Sequence, residues 1–175
     1  MVEEKTLLHA VLVFPVTENE IMLGIKAAKI GAGKRNGWGG GIEAGENPIQ
    51  AAIREFSEEA EAILLPEYLL KAAVVDFHNK KSNGEEFICR VHVYFSSKWI
   101  GEIRETGEMS DPRLFPKDQI PLEEMMPADK DWLIPALSGK KIYAEAYLGP
   151  FQKELLGKTL ITEVNSFEQF DKPAT

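Results

Sequence analysis

The stretch that decides the fold is GGIEAGENPIQAAIREFSEEAE, residues 40–61. Asn47 followed by Pro48 is typical of a helix start, because an Asn side chain caps free backbone N–H groups and proline suits the first helical position. Apolar residues then recur at helical spacing, and they predict one buried face: Ile49, Ala52, Ile53, Phe56 and Ala60. The stretch therefore predicts an irregular, glycine-containing loop followed by an amphipathic helix.

The same helix carries a concentration of acidic residues. Glu55, Glu58 and Glu59 fall on one flank, and like charges at such spacings cost about 0.2–0.5 kcal/mol per pair. Arg54 is placed to pair with Glu58, which leaves at least two carboxylates uncompensated. Two interpretations are open at this point. One is a solvated acidic face; the other is a divalent cation site, because Mg²⁺ prefers carboxylate oxygens and bridges them to substrate phosphates.

The rest of the chain alternates between strand and helix patterns without a repeated βαβ unit. A polar turn at 17–19 predicts a hairpin between residues 7–14 and 20–27, and Ser82-Asn83-Gly84 predicts a second hairpin. Apolar alternation from Phe87 to Phe95 predicts a strand with one buried face. No regular period is visible between residues 29 and 45. Further elements are predicted for residues 122–125 and 129–138 (helices) and 142–149 and 159–164 (strands). These patterns favour an α+β fold with a mixed sheet sandwiched by helices.

Length, composition and charge narrow the class of protein. A chain of 175 residues with 44% hydrophobic and 27% charged residues suits one globular domain, which we place at residues 1–165, with residues 166–175 as a frayed tail. A net charge of −8 argues against binding to duplex nucleic acid or to anionic membranes. The single cysteine, Cys89, and the lack of a secretory or membrane-spanning pattern favour the cytoplasm. The sequence leaves the oligomeric state open, and a monomer is compatible with it.

Residues 40–59 also match a known signature. The chain resembles the Nudix hydrolases, whose pattern is Gly, five residues, Glu, seven residues, Arg-Glu-apolar-any-Glu-Glu, any, Gly, apolar. Seven positions fall in register: Gly40, Glu46, Arg54, Glu55, Phe56, Glu58 and Glu59. Two positions depart, since Glu61 replaces the closing glycine and Ala62 stands where a bulkier apolar residue is usual. That glycine normally ends the helix in a left-handed turn, so we expect an altered exit, such as a longer helix.

The resemblance extends over residues 6–164 to the MutT-like branch that hydrolyses oxidised purine nucleoside triphosphates. It is carried by further segments in the family's order: MLGIK (22–26), GAGKRNGWGGG (31–41), EFICRVHVYF (86–95), GEMSDPRLF (107–115), DQIPLEEMMPAD (118–129) and DKDW (129–132). The resemblance implies a Nudix α/β/α sandwich and a Mg²⁺ cofactor, with Mn²⁺ as an alternative.

The resemblance also implies a set of functional residues. The implied metal ligands are the Gly39 carbonyl, Glu55, Glu58, Glu59 and Glu108. The implied catalytic residues are Glu58, Glu59, Arg54 and Glu55, with a glutamate as proton acceptor and Arg54 orienting one of them. The implied substrate contacts are His9, Lys26, Asn36, Trp38, Gly39, Gly40, Gly41, Met126, Asp129 and Trp132.

The base pocket is where the sequence departs most from this branch. Ala128-Asp129 stands where the branch has two adjacent acidic residues, and Met126 stands where it has an aromatic residue. The predicted reaction is hydrolysis of a nucleoside diphosphate linked to X, above all an oxidised purine triphosphate such as 8-oxo-dGTP, to the monophosphate and pyrophosphate. Alternatives are a Nudix enzyme for ADP-ribose, a dinucleoside polyphosphate or capped RNA, a non-catalytic nucleotide-sensing module, and a purely structural domain.

Overall fold

Two helices and eleven strands form the described part of the chain, residues 4–174 of a computed structural model. The helices are α1 (Pro48–Ala60) and α2 (Asp129–Leu137). The strands are β1 (His9–Pro15), β2 (Glu20–Lys26), β3 (Arg35–Asn36), β4 (Trp38–Gly41), β5 (Ile63–Leu64), β6 (Leu69–Lys80), β7 (Glu86–Ser96), β8 (Trp99–Ile100), β9 (Met109–Pro116), β10 (Ile142–Leu148) and β11 (Leu160–Glu163). Single 3-10 turns cover Pro66–Tyr68, Leu122–Glu124, Pro150–Gln152 and Glu168–Phe170.

A mixed six-stranded sheet in the order β11-β10-β6-β7-β1-β4 forms the centre of the fold. β1 runs parallel to β7 and β10 runs parallel to β6, whereas the other neighbours are antiparallel. One face carries a core that includes Phe14, Val93 and Trp132, and the other carries a core that includes Trp38 and Phe56. Helices thus cover both faces, and the predicted α+β sandwich with a mixed sheet is confirmed.

The first predicted hairpin is wrong, although both of its strands exist. β1 lies inside the large sheet, while β2 belongs to a separate sheet in the order β3-β2-β9. An isolated bridge pairs Ile21 of β2 with Val16, the residue that follows β1. β1 has both faces buried, so it pairs with β7 and β4 from distant parts of the chain. Local turn chemistry gives no information on such long-range pairing.

The second predicted hairpin, between β6 and β7, is confirmed. The strands pair from Leu69 with Ser96 to Lys80 with Glu86, and Gly84 in the connecting loop has a φ of +90°. The expectation that β7 buries only one face is wrong, because Tyr94 packs in the core beneath α1 while Phe95 packs in the core beneath α2. The segment from residue 29 to residue 45, in which we saw no period, contains the short strands β3 and β4.

The predicted start of α1 is confirmed in detail. Asn47 Oδ1 accepts a hydrogen bond from the Gln50 backbone N–H at 2.8 Å, and Gln50 Oε1 accepts one from the Asn47 N–H at 2.9 Å. The buried face of α1 is rotated about the helix axis relative to the predicted face. Ile49, predicted to be buried, is 37% exposed, whereas Glu59 is only 7% exposed. One acidic residue of the cluster therefore lies inside the protein.

The predicted extension of α1 is wrong. The helix ends at Ala60, and Glu61 adopts the left-handed conformation, with φ of 56° and ψ of 33°, while its N–H donates to the Ser57 carbonyl. The fold thus keeps the left-handed turn that glycine normally provides, although a residue with a side chain occupies it.

Glu61→Gly is therefore expected to stabilise the protein by about 0.5–1 kcal/mol, because relief of the left-handed strain, about 1–2 kcal/mol, exceeds the added backbone entropy of glycine in the unfolded chain. In a chain of this size the melting temperature should rise by about 1–4 °C, measured by thermal unfolding. Ser57→Gly is the control, because it also introduces a glycine but at a right-handed position of α1, where it should lower stability by about 0.5 kcal/mol. Equal losses in both variants would contradict the prediction.

The C-terminal segment packs against the sheet, in contrast to the frayed tail that we expected. Phe167 is buried, Phe170 stacks on Tyr143 with ring centroids 4.3 Å apart, and Arg90 Nη1 donates to the Lys172 carbonyl at 3.0 Å. Aromatic burial outweighs the polar composition of this segment. Residues 1–3 and 175 lie outside the described part, and among the residues inside it no helix is long and apolar enough to span a bilayer.

Candidate active site

A cavity of about 190 Å³ lies where the glycine-rich segment, α1 and the start of α2 meet the large sheet. Its polar lining includes Lys26, Asn36, Glu59, Asn79, Asp129 and Gln152. Its apolar lining includes Leu12, Phe77, Phe87, Cys89 and Val91, and the backbone of Gly39 and Gly40 closes one side. The cavity is apolar along its wall and carries charged groups at defined places, as small-molecule sites do.

The acidic end of the cavity is formed by α1. Glu59 lies on the buried face of the helix and is only 7% exposed. Burial raises its pKa to about 8, and a hydrogen bond with the Glu55 carboxyl group and the charges of Glu55 and Glu108 act in the same direction. Lys26 opposes the shift. The fold thus brings together two glutamates of α1 and Glu108, which lies 49 positions further along the chain.

Arg54 organises the loop that precedes α1. Its guanidinium donates to both Glu46 oxygens at 2.8 Å, to Glu55 Oε1 at 2.9 Å and to the Gly41 carbonyl at 2.9 Å. Glu58 approaches the same guanidinium at 3.5 Å, but its side chain is 58% exposed. Arg54 therefore fixes the position of Glu55 relative to the glycine-rich strand, which is the arrangement that an orienting residue requires.

Two glycines allow the strand β4 to approach these groups. A Cβ atom at Gly40 would lie 2.6 Å from the Glu55 carboxylate, and one at Gly39 would collide with the Val11 carbonyl. Any side chain at either position would therefore push the strand away from α1 or from β1. The glycine requirement follows from close packing at the carboxylates.

The donor set at the acidic end suits a divalent cation. Carboxylate and carbonyl oxygens are the ligands that hard ions such as Mg²⁺ prefer, and Glu55, Glu59, Glu108 and the Gly39 carbonyl supply only such atoms. Within residues 4–174 the side chains as they stand do not enclose a complete group of three ligands. Glu55 instead lies against Glu59 and raises its pKa, and a cation bound between the two carboxylates would relieve the repulsion that arises when both are ionised.

A second charged group, Asp129, lines the cavity at the start of α2. It is 3% exposed, Oδ2 accepts from the Met126 N–H at 3.2 Å, and Oδ1 accepts from Trp132 Nε1 at 3.2 Å. Burial raises the pKa of Asp129 to about 7, and the two hydrogen bonds oppose that shift. An ionised carboxylate has about four acceptor positions, so capacity for a ligand remains.

Two further polar residues of the lining come from the glycine-rich segment and its flanks. Asn36 Oδ1 accepts from the Gly37 N–H at 2.8 Å, which leaves the amide NH₂ as its donor. Lys26 Nζ donates to the Ile30 carbonyl at 2.7 Å, and burial lowers the pKa of Lys26 below its ordinary value. Gly41, in contrast, acts through its carbonyl, which accepts the hydrogen bond from Arg54.

The structure places several predicted contact residues away from the cavity. Trp38 is 1% exposed and packs on Phe56 beneath α1, with ring centroids 5.7 Å apart. Trp132 is fully buried in the core, where its role is to hold Asp129. The structure therefore places both tryptophans in the core, outside the cavity lining, and their predicted contacts with substrate stay predictions.

His9 lies outside the cavity lining. Its ring faces His92, with the two Nε2 atoms 2.6 Å apart, whereas the next three residues of β1, Ala10, Val11 and Leu12, line the cavity. A contact between His9 and substrate therefore stays a prediction. Ala128, the departure from the acidic pair, is fully buried in the core.

Sequence reasoning missed the apolar wall and one end of the cavity. Phe77, Phe87, Cys89 and Val91 come from β6 and β7, and the alternation in β7 indicated a buried face but not that this face borders a cavity. Burial raises the pKa of the Cys89 thiol to about 12. Gln152 reaches the cavity from the turn after β10, and no sequence pattern marks it.

Comparisons with known proteins agree with this geometry. A family model described as the NUDIX domain matches residues 6–137. The chain is 35% identical over 141 residues to the oxidized purine nucleoside triphosphate hydrolase of Danio rerio, covering 81% of this chain and 83% of that protein. It is 32% identical over 156 residues to the Mus musculus protein of the same name, covering 89% and 95%. The crystal structure of a MutT protein from Bacillus halodurans shares the fold, with a TM-score of 0.71, 19% identity and coverage of 87% of this chain and 96% of that chain.

Proposed function

Because this chain belongs to the Nudix family and acts on phosphoric anhydride bonds, we propose that it hydrolyses an oxidised purine nucleoside triphosphate, such as 8-oxo-dGTP, to the monophosphate and pyrophosphate. Both relatives at 32–35% identity are named for hydrolysis of oxidised purine triphosphates. The activity is proposed for the cytoplasm, where it would remove damaged precursors from the nucleotide pool.

The observation that carries the proposal is the arrangement of charged, hydrogen-bonding and apolar groups within one cavity. Its acidic end holds Glu59 beside Glu55 and Glu108, and Lys26 lies there as the balancing cation. Asp129 and Asn36 supply hydrogen-bonding groups suited to a base, and apolar side chains of β6 and β7 form the wall beside them. A triphosphate with a planar base has the same distribution of charge and apolar surface.

The residues proposed to hold the metal are Glu55, Glu58, Glu59, Glu108 and the Gly39 carbonyl. When bound, a divalent ion such as Mg²⁺ neutralises phosphate charge and lowers the pKa of a water molecule. The Glu58 side chain is 58% exposed, so this proposed ligand lies at the solvent side of the cluster. Lys26 adds a positive charge for the phosphates.

The proton of the attacking water is proposed to pass to a glutamate of this cluster, as general base catalysis requires. Glu59 is favoured by its place in the cavity lining, with Glu58 and Glu108 as the other candidates. Arg54 does not line the cavity; it holds Glu55 and the Gly41 carbonyl and acts as a positioning residue. No covalent intermediate is needed.

The proposal is tested with a nucleotide panel in which phosphate and pyrophosphate are detected separately. With Mg²⁺ or Mn²⁺ we expect pyrophosphate from 8-oxo-dGTP at a higher kcat/KM than from dGTP or from pyrimidine triphosphates, and no turnover in chelator. Release of phosphate instead of pyrophosphate, or faster hydrolysis of ADP-ribose or a dinucleoside polyphosphate, would replace the proposed substrate by another member of the Nudix range.

A further inference from the structure

The turn that follows β10 holds an unusual backbone conformation beside the cavity. Phe151 and Gln152 are consecutive non-glycine residues with φ of 55° each. The Phe151 N–H donates to Glu4 Oε2 at 3.3 Å, and the Gln152 N–H donates to the Gly149 carbonyl at 3.0 Å. Residues with side chains adopt such a conformation only where the surroundings hold them in it. The result is that the Gln152 side chain lines the cavity.

A chain of hydrogen bonds fixes the orientation of the Gln152 amide. The Phe77 carbonyl can only accept, so Asn79, which is 6% exposed, presents Nδ2 to it at 2.8 Å. Asn79 Oδ1 must then face Gln152, and it accepts from Gln152 Nε2 at 2.7 Å. With Nε2 directed at Asn79, the oxygen Oε1 is directed away from it. Among residues 4–174 no group donates to that oxygen, which leaves a fixed acceptor at the cavity.

A fixed acceptor distinguishes purines by the state of their N7 atom. Guanine N7 is itself an acceptor, so its lone pair would oppose Oε1. Oxidation at C8 places a carbonyl at C8 and a hydrogen on N7, which turns that atom into a donor. Asp129 supplies a second acceptor in the same cavity from a different element, suited to the N1–H and N2–H₂ donors of the other edge of guanine. Two acceptors thus match the two donor edges of 8-oxoguanine.

We propose that Gln152, held by Asn79, is a specificity-determining residue whose Oε1 accepts a hydrogen bond from N7–H of an 8-oxopurine. The proposal rests on the proposed function, since it assigns a base-reading contact within the same site. It also gives a reason why the protein could distinguish oxidised from unmodified purines although Ala128 stands where related proteins have an acidic residue.

The test measures equilibrium binding of monophosphate products, which requires neither metal nor turnover. Dissociation constants of 8-oxo-dGMP, dGMP and 7-deaza-dGMP are determined by calorimetry in metal-free buffer for the wild type, Gln152→Leu and Gln119→Leu. Gln119 is an exposed glutamine whose side chain makes no hydrogen bond within the described residues, so it is the matched control.

We expect the wild type to prefer 8-oxo-dGMP over dGMP, and Gln152→Leu to reduce that preference at least tenfold while Gln119→Leu leaves it unchanged. We also expect the wild type to bind 7-deaza-dGMP more tightly than dGMP, because the 7-deaza base lacks the opposing lone pair. An unchanged preference in Gln152→Leu, or equal binding of dGMP and 7-deaza-dGMP by the wild type, would overturn the assignment of Gln152.

The ligand comparison needs only the wild type, so it can still overturn the assignment if Gln152→Leu fails to fold. Failure of the proposed function looks different, because it would be an absence of pyrophosphate release from every triphosphate in the hydrolysis assay. If the protein releases pyrophosphate but binds all three monophosphates equally, the proposed hydrolase activity stands and the proposed contact between Gln152 and N7 is excluded.

Discussion

Glu59→Gln is expected to lower kcat by about 10²–10⁴-fold, the range that loss of a general base produces. The substitution keeps the shape of the side chain but removes its charge and its ability to accept a proton. Stability should not fall with activity, because Glu59 is buried beside Glu55 and near Glu108, where a neutral amide avoids charge repulsion. Initial rates of pyrophosphate release and thermal unfolding in metal-free buffer measure the two effects separately.

Glu58→Gln should also lower turnover by orders of magnitude, although Glu58 is more exposed. Glu67→Gln, at an exposed position outside the site, is the control and should leave kcat within about twofold, since exposed substitutions away from special contacts have small effects. Full activity of Glu59→Gln, or of the wild type in excess chelator, would remove these glutamates from the mechanism.

Asp129→Asn should raise KM for the preferred purine triphosphate ten- to a hundredfold, with a much smaller change in kcat. A buried hydrogen bond to a charged group is worth about 1.5–3 kcal/mol, and its loss weakens ground state and transition state alike. An asparagine has one acceptor oxygen, whereas Asp129 serves both the Met126 N–H and Trp132 Nε1. The variant therefore cannot satisfy both donors and read the base as well.

The pH dependence of this effect has a defined sign. The pKa of Asp129 is raised to about 7 by burial, so its carboxylate form is present above pH 7 and is lost as pH falls through that value. The KM difference between wild type and Asp129→Asn should consequently be largest near pH 8.5 and smaller near pH 6.

The contribution of Asp129 to the free energy of unfolding should fall as pH rises, whereas its effect on KM grows. Because the folded pKa lies above the ordinary value for aspartate, the stabilising contribution is complete below about pH 4 and declines as pH rises through 7. Asp129→Asn should lack that decline.

Trp132→Phe provides the control for position 129. It removes the same hydrogen bond from the core but keeps the carboxylate, so its KM should rise less than that of Asp129→Asn. If Trp132→Phe raises KM as much as Asp129→Asn, the effect arises from core geometry and Asp129 does not read the base.

Sequence reasoning succeeded where the physical signal is local. The capping of α1 by Asn47, the β6–β7 hairpin and the α2 helix depend on residues within a few positions of one another, and all are present. Glu108 is a different case, because family resemblance and not periodicity indicated it, and the fold places its charge near Glu59.

The failures share a cause in long-range packing. Whether β1 pairs with β2 or with β7, and whether Trp38 and Trp132 lie in a core or at a cavity, depends on which distant elements cover each face. The pairing of His9 with His92, which lies on a different strand 83 positions away, depends on the same long-range packing. Gln152 could not be identified from the sequence for a related reason. Its place at the cavity depends on a turn whose backbone contacts Glu4 and on a side-chain hydrogen bond to Asn79.

The cysteine in the cavity wall lies where the oxidants that create the proposed substrates would also meet the protein. Thiolates are oxidised far more readily than thiols, and burial holds the pKa of Cys89 at about 12, so almost none of it is ionised at neutral pH. Peroxides that damage free nucleotides would therefore find little reactive sulfur at this wall. The apolar surroundings of Cys89 thus keep this one sulfur atom in its unreactive thiol form in the presence of those oxidants.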